Sequence, residues 1–139
     1  MGFLKLANKY VYFHTVFFTQ YNDFLIIDKL RKEFPDSFIQ ALNVDIIYNY
    51  EHLFEVLQIS NLAKRRNIMC SKKIELDFLL RVMGTNQISQ AIKDGGLKID
   101  QHITFVILAK KYEINRISQK LIFLFGNSHD EFLTDKIIL

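Results

Sequence analysis

His102 to Ala109 reads HITFVILA, and this stretch decides the fold class. From Ile103 onward it is apolar at odd and even positions alike, and it is rich in β-branched residues. A strand with that pattern is covered on both faces, so it belongs inside a sheet with layers above and below it. Working outward, Tyr10 to Phe18 (YVYFHTVFF) has the same aromatic and β-branched density and reads as a second strand. Phe38 to Tyr48 (FIQALNVDIIY) reads as a third extended segment.

The stretches between these strands are helical. Asn22 is placed to cap a helix whose Phe24, Ile27, Leu30 and Phe34 recur at spacings of three and four, ahead of the helix-stopping Pro35. Asn49 and Glu51 supply a cap and a first-turn carboxylate for a helix reaching about Arg66. After a short apolar Ile68 to Cys70 and then Ser71, a helix over Lys72 to Met83 ends at Gly84, the residue best suited to a left-handed cap. Thr85 and Asn86 open a shorter helix with Ile88, Ala91 and Ile92 on one stripe, stopped by Gly95 and Gly96. A further helix points Ile114, Ile117, Leu121 and Phe125 inward and ends at Gly126. Ser128 and Glu131 have capping-box spacing, which predicts a last helix over His129 to Leu139, with Lys136 to Leu139 as an alternative edge strand. Strands alternate with helices and no linker or repeat interrupts them. The expectation is one α/β domain over residues 1–139, a central mixed β-sheet covered by helices.

Composition narrows the function. Half of the 139 residues are hydrophobic and 14% are aromatic, so the chain carries enough apolar surface to fold. The single cysteine, Cys70, has no internal disulfide partner, and no secretory leader pattern opens the chain. The expected setting is intracellular: cytoplasmic, or nuclear in a eukaryote. No apolar run approaches the roughly 18 residues of a membrane span. There is no Gly-rich phosphate loop, nucleophile elbow or helical pair of histidines, and His14, His52, His102 and His129 fall on separate predicted elements. Glu75 and Asp77 lie about 200° apart on their helix and cannot act as an acid/base pair. No enzyme activity, metal, cofactor or small-molecule substrate is expected.

Charge and apolar patterning point to binding instead. The net charge of +3 is mild, but Lys64, Arg65, Arg66, Lys72, Lys73 and Arg81 crowd one short window, offset only by Glu75 and Asp77. Such a patch can hold a nucleic-acid backbone by counterion release. Lys64, Arg65 and Arg66 also end a predicted helix, where the macrodipole favours cations whatever the function. In addition, Leu53, Phe54, Val56, Leu57, Ile59 and Leu62 run almost all the way round their helix, and Ile74, Leu76, Phe78, Leu79, Leu80, Val82 and Met83 do so on the next. Either both helices are sandwiched or one turns an apolar face to a protein partner.

Residues Ala41 to Leu97 carry an order of features that resembles the TPRKB family, small subunits of the KEOPS tRNA-modification complex. The most specific part is ELDFLLRVMGTNQISQAIKDGGL, with Glu75, Leu79, Leu80, Gly84, Gln87, Ile88, Ala91, Ile92, Gly96 and Leu97 at the family's spacing. Met83 stands where the family commonly has a small residue, and Asn86 near where it has Arg or a similar polar residue. The resemblance implies a non-catalytic subunit that binds the complex's kinase/ATPase subunit and recruits tRNA, through its CCA 3′ end, for threonylcarbamoyl-adenosine modification. Taken with the patterning, it gives two expected surfaces. One, for tRNA, comprises Lys64, Arg65, Arg66, Lys72, Lys73, Arg81, Thr85, Asn86, Gln87 and Ile88. The other, for the kinase, comprises Leu53, Phe54, Ile59, Leu62, Leu76, Leu79 and Met83.

Overall fold

Among the described residues four strands hydrogen-bond in the order β1-β2-β4-β3, with β1 Leu4–Leu6, β2 Lys9–Phe18, β3 Phe38–Asn43 and β4 Gln101–Ala109. A computed structural model of the chain describes residues 2–20, 22–69, 73–85, 87 and 97–130. Among these the helices are α1 Asn22–Glu33, α2 Tyr50–Arg65, α3 Ile74–Met83 and α4 Lys111–Phe125. The α/β class stands, but among the described residues the sheet is antiparallel rather than mixed: β1 with β2, β2 with β4, and β3 with β4 all pair antiparallel. The reason is β4, which inserts between β2 and β3. Those two strands run the same way, as a β-helix-β unit leads one to expect, yet they never touch. Both pair with β4 instead.

The alternation of side chains along each strand divides the apolar residues between two faces. Val11 and Phe13 of β2, Leu42 of β3, and Val106 and Leu108 of β4 form one core with Leu53, Val56 and Leu57 of α2 and Phe78, Leu79 and Leu80 of α3. Tyr12, Val16, Phe18, Ile39, Ile103, Phe105 and Ile107 form the other with Ile27 and Leu30 of α1 and Ile114, Ile117 and Leu121 of α4. β4, which is buried from Ile103 to Ala109, is the shared middle layer, as its two-sided apolar pattern requires.

Local chemistry sets the element ends. The carboxylate of Asp23, rather than Asn22, accepts from the backbone N–H groups of Thr19 and Gln20, and Asn22 is itself helical. The extended reading of Phe38 to Tyr48 holds only to Asn43, whose side-chain oxygen accepts from the Asp45 N–H and starts a 3-10 turn at Val44–Ile46. The Asn49 side chain caps α2 by accepting from His52 N–H at 2.7 Å. α2 and α3 both close with paired bonds around a left-handed residue. Asn67 (φ 58) N–H donates to Lys64 O and Ile68 N–H to Ala63 O, while Gly84 (φ 67) N–H donates to Arg81 O and Thr85 N–H to Leu80 O. The expected helix after Asn86 and the expected terminal helix lie outside the described residues.

β3 is an edge strand, and its edge is filled by side chains. Arg31 Nε donates to Ile39 O at 2.9 Å, and Arg31 Nη2 donates to Gln40 Oε1, which also accepts the Ala41 N–H. Such cover removes a template for edge-to-edge pairing. On the opposite edge, beyond the short β1, the segment after α4 lies along β2. His129 N–H donates to Thr15 O and Thr15 N–H donates to Ser128 Oγ, both at 2.8 Å.

Candidate partner and nucleic-acid surface

α2 positions most of the residues in question. Its buried stripe, Tyr50, Leu53, Val56, Leu57, Ser60 and Ala63, fixes the helix against the sheet and α3. That leaves Ile59 at 52% exposure and Leu62 at 42% on the outer side, with Phe54 half-buried between the two faces. Ile68, just past the end of the helix, is 64% exposed. The expected partner surface is therefore divided. Ile59 and Leu62 are available to a partner. Leu53 and Leu79 are not, because both are core residues beneath the helices; Phe54, Leu76 and Met83 pack partly against that core. An apolar residue on an all-round apolar helix reads the same from either side of the wheel, so the sequence does not separate the two groups.

The cations also separate. Lys64 and Arg65 project from the last turn of α2 into an open cleft of about 650 Å³, whose other walls are Leu6, Ala7, Asn8, Lys9 and Asn61. Lys9, which lies outside the basic sequence window, thus joins two of its members. Arg66 is exposed at the helix cap. Lys73 opens a different cavity, about 570 Å³, along the β3 edge with Arg31, Gln40, Glu75, Leu76 and Leu97. Arg81 is engaged: its Nε meets the buried Asp77 carboxylate at 2.9 Å within α3. It does not contribute a free charge to the patch. Thr85 Oγ1 accepts the Gln87 N–H at 3.1 Å. Lys72, Asn86 and Ile88 lie outside the described residues, as does Cys70.

His14 holds a structural place. His14 is buried on β2, where its Nε2 lies 3.0 Å from Gly126 O and its Nδ1 lies 2.5 Å from the Tyr12 hydroxyl. Burial lowers its pKa, which opposes the smaller upward pulls of the Gly126 carbonyl and Asp130, and it raises that of Tyr12 to about 12. The neutral ring therefore accepts from Tyr12 O–H at Nδ1 and donates Nε2–H to Gly126. On the opposite face of the same strand a chain of hydroxyls joins Thr104, Thr15 and Tyr50, with 2.8 Å at each link, and Tyr50 O–H donates to Asp130 Oδ1 at 2.9 Å. Ser128 Oγ donates to the same oxygen at 2.5 Å. Burial raises the Tyr50 pKa, in keeping with its role as a donor. Neither network opens on one of the clefts described above. Among the described residues no three His, Cys, Asp or Glu side chains gather to hold a metal ion, and no helix is long and apolar enough to cross a membrane.

No protein-family model matches the chain, and no curated protein matches it.

Proposed function

We propose that the chain is a non-catalytic adaptor that binds the kinase/ATPase subunit of a KEOPS-type complex and carries tRNA to it for threonylcarbamoyl-adenosine modification. The reading rests on the sequence resemblance over Ala41 to Leu97. The observation that carries it furthest is the outer side of α2, where exposed Ile59 and Leu62 stand next to Lys64 and Arg65. An apolar centre suits a protein interface, whose core is depleted in charge, and an adjacent cationic end suits a polyanion. One helix thus offers both surfaces an adaptor needs, with its inner side anchored in the core.

The test is size-exclusion chromatography of the purified chain with the cognate kinase subunit, wild type beside an Ile59→Asp/Leu62→Asp variant. The wild type is expected to co-elute one-to-one. The variant is expected to fold and to lose the complex, because an unpaired charge buried in an interface costs several kcal/mol. Absence of a wild-type complex removes the proposal.

A further inference from the structure

We propose that the cleft between the β1–β2 turn and the C-terminal end of α2 holds phosphate groups of an RNA backbone, with Lys9, Lys64 and Arg65 supplying the charge and Asn8 and Asn61 the flanking amides. The inference deepens the tRNA-binding half of the function proposed above by naming where that RNA sits.

The cleft brings together three cations from two distant parts of the chain. Its seven lining residues include no carboxylate. Among the described residues Lys9, Lys64 and Arg65 make no ion pair. Three cations outside the cleft are ion-paired: Arg81 with Asp77, and Arg116 and Lys120 with Glu33. Like charges that converge on a concave surface repel one another, and a bound anion turns that repulsion into attraction.

Side-chain capping of α2 does not account for the arrangement, and the macrodipole that favours Lys64 and Arg65 does not account for Lys9. The carbonyls of Leu62, Ala63 and Lys64 already accept from the backbone N–H groups of Arg66, Ile68 and Asn67. Lys9 stands on a strand, where the macrodipole of α2 did not select it. It reaches the cleft because a two-residue turn, Ala7 and Asn8, pairs Leu6 with Lys9 and folds the start of β2 over the helix end. That turn holds Ala7 at φ 54, a left-handed conformation that favours glycine, and Ala7 forms part of the cleft wall.

The surroundings favour RNA. The site is a concave cleft, which a flat lipid surface does not enter. Asn8 and Asn61 offer donors and acceptors suited to phosphate oxygens and 2′-hydroxyls. A smaller adjoining cavity of about 230 Å³ shares Lys9, Asn61 and Lys64 and adds Asp36 and Glu75, so the positive surface ends on that side and the strand is directed away from it.

The experiment is fluorescence anisotropy of full-length tRNA with the full chain at several salt concentrations. The proteins are wild type, Lys9→Gln, Lys64→Gln/Arg65→Gln, and Lys29→Gln as a control of equal charge change on exposed α1, across the sheet. The expected result is several-fold weaker binding for Lys9→Gln, a larger loss for the double variant, and a salt slope reduced by about 0.7–0.9 for each cation removed. Lys64 and Arg65 are exposed, so the double variant tests the cleft even if a change at Lys9 disturbs the hairpin. If Lys9→Gln and the double variant both match Lys29→Gln while wild type binds tRNA and the kinase, the cleft assignment is overturned and the adaptor reading stands. If wild type binds no tRNA, both fall. Equal affinity for polyglutamate and tRNA overturns the assignment to RNA.

Discussion

Tyr50→Phe removes one oxygen from the network that ties the segment after α4 to the edge of β2. The ring itself stays: Tyr50 is 7% exposed and stacks on Phe13 with centroids 4.9 Å apart and planes 4° from parallel, which Phe reproduces. The loss is therefore confined to hydrogen bonds. Thr15 Oγ1, fully buried, loses a partner at 2.8 Å, and Asp130 loses a donor at 2.9 Å. A neutral hydrogen bond contributes about 1 kcal/mol and one to a charged group about 1.5–3, partly offset by the greater apolarity of Phe, so the net cost is about 2–3 kcal/mol. For a chain of this length that lowers Tm by roughly 6–15 °C. Thermal and urea unfolding of Tyr50→Phe, Thr15→Val and the double variant measure it. The double variant is expected to lose less than the sum of the singles by at least about 0.5 kcal/mol, because each single breaks the same bond. A Tyr50→Phe cost below about 0.5 kcal/mol, or strict additivity, refutes the network.

Other outcomes follow from the same geometry. The folded chain holds His14 neutral with a lowered pKa, whereas the unfolded chain protonates it near the ordinary value of about 6.5, so its contribution to stability is complete above that value and is lost as pH falls through it. The urea midpoint should therefore drop between about pH 7.5 and 5.5, and drop less in His14→Gln; an identical pH dependence in the two proteins contradicts the role given to His14. Gly126 has φ 81 and ψ −166 and turns its carbonyl to His14, so Gly126→Ala should cost about 1–3 kcal/mol from backbone strain alone, since nothing lies within 4 Å of the added Cβ. A melting temperature unchanged by that substitution would show the strain to be absent. Leu57→Ala, at a fully buried position between sheet and helix, should cost about 2–5 kcal/mol, while Ile59→Ala on the outer side should change stability by about 0.5 kcal/mol or less. Comparable losses at both positions would place Ile59 in the core.

The sequence showed its strands wherever composition was strong enough. β2 and β4 were legible to within a residue at either end, and so were the inward residues of α4 and the left-handed cap at Gly84. Leu4–Leu6 was not legible, because three residues show no period, and it forms only by pairing back across the Ala7-Asn8 turn. Strand direction was hidden for a different reason: β2, α1 and β3 read locally as a parallel crossover, and only the insertion of β4 makes every pairing antiparallel. The candidate surfaces divide in the same way. The basic run was plain, but Lys9 joins it through the tertiary approach of a hairpin to a helix end, and Arg81 leaves it because Asp77, one turn earlier, is buried beside it. Leu53 and Ile59 are equally apolar in sequence, and burial alone separates them.

The adaptor reading is tested most directly by one co-elution experiment in which the chain, the cognate kinase subunit and tRNA are run together by size-exclusion chromatography. A single ternary peak is expected. Ile59→Asp/Leu62→Asp should remove the kinase while the chain still shifts the tRNA, and Lys64→Gln/Arg65→Gln should weaken the tRNA shift while the kinase stays bound. A wild-type chain that elutes alone, apart from both kinase and tRNA, contradicts the adaptor function.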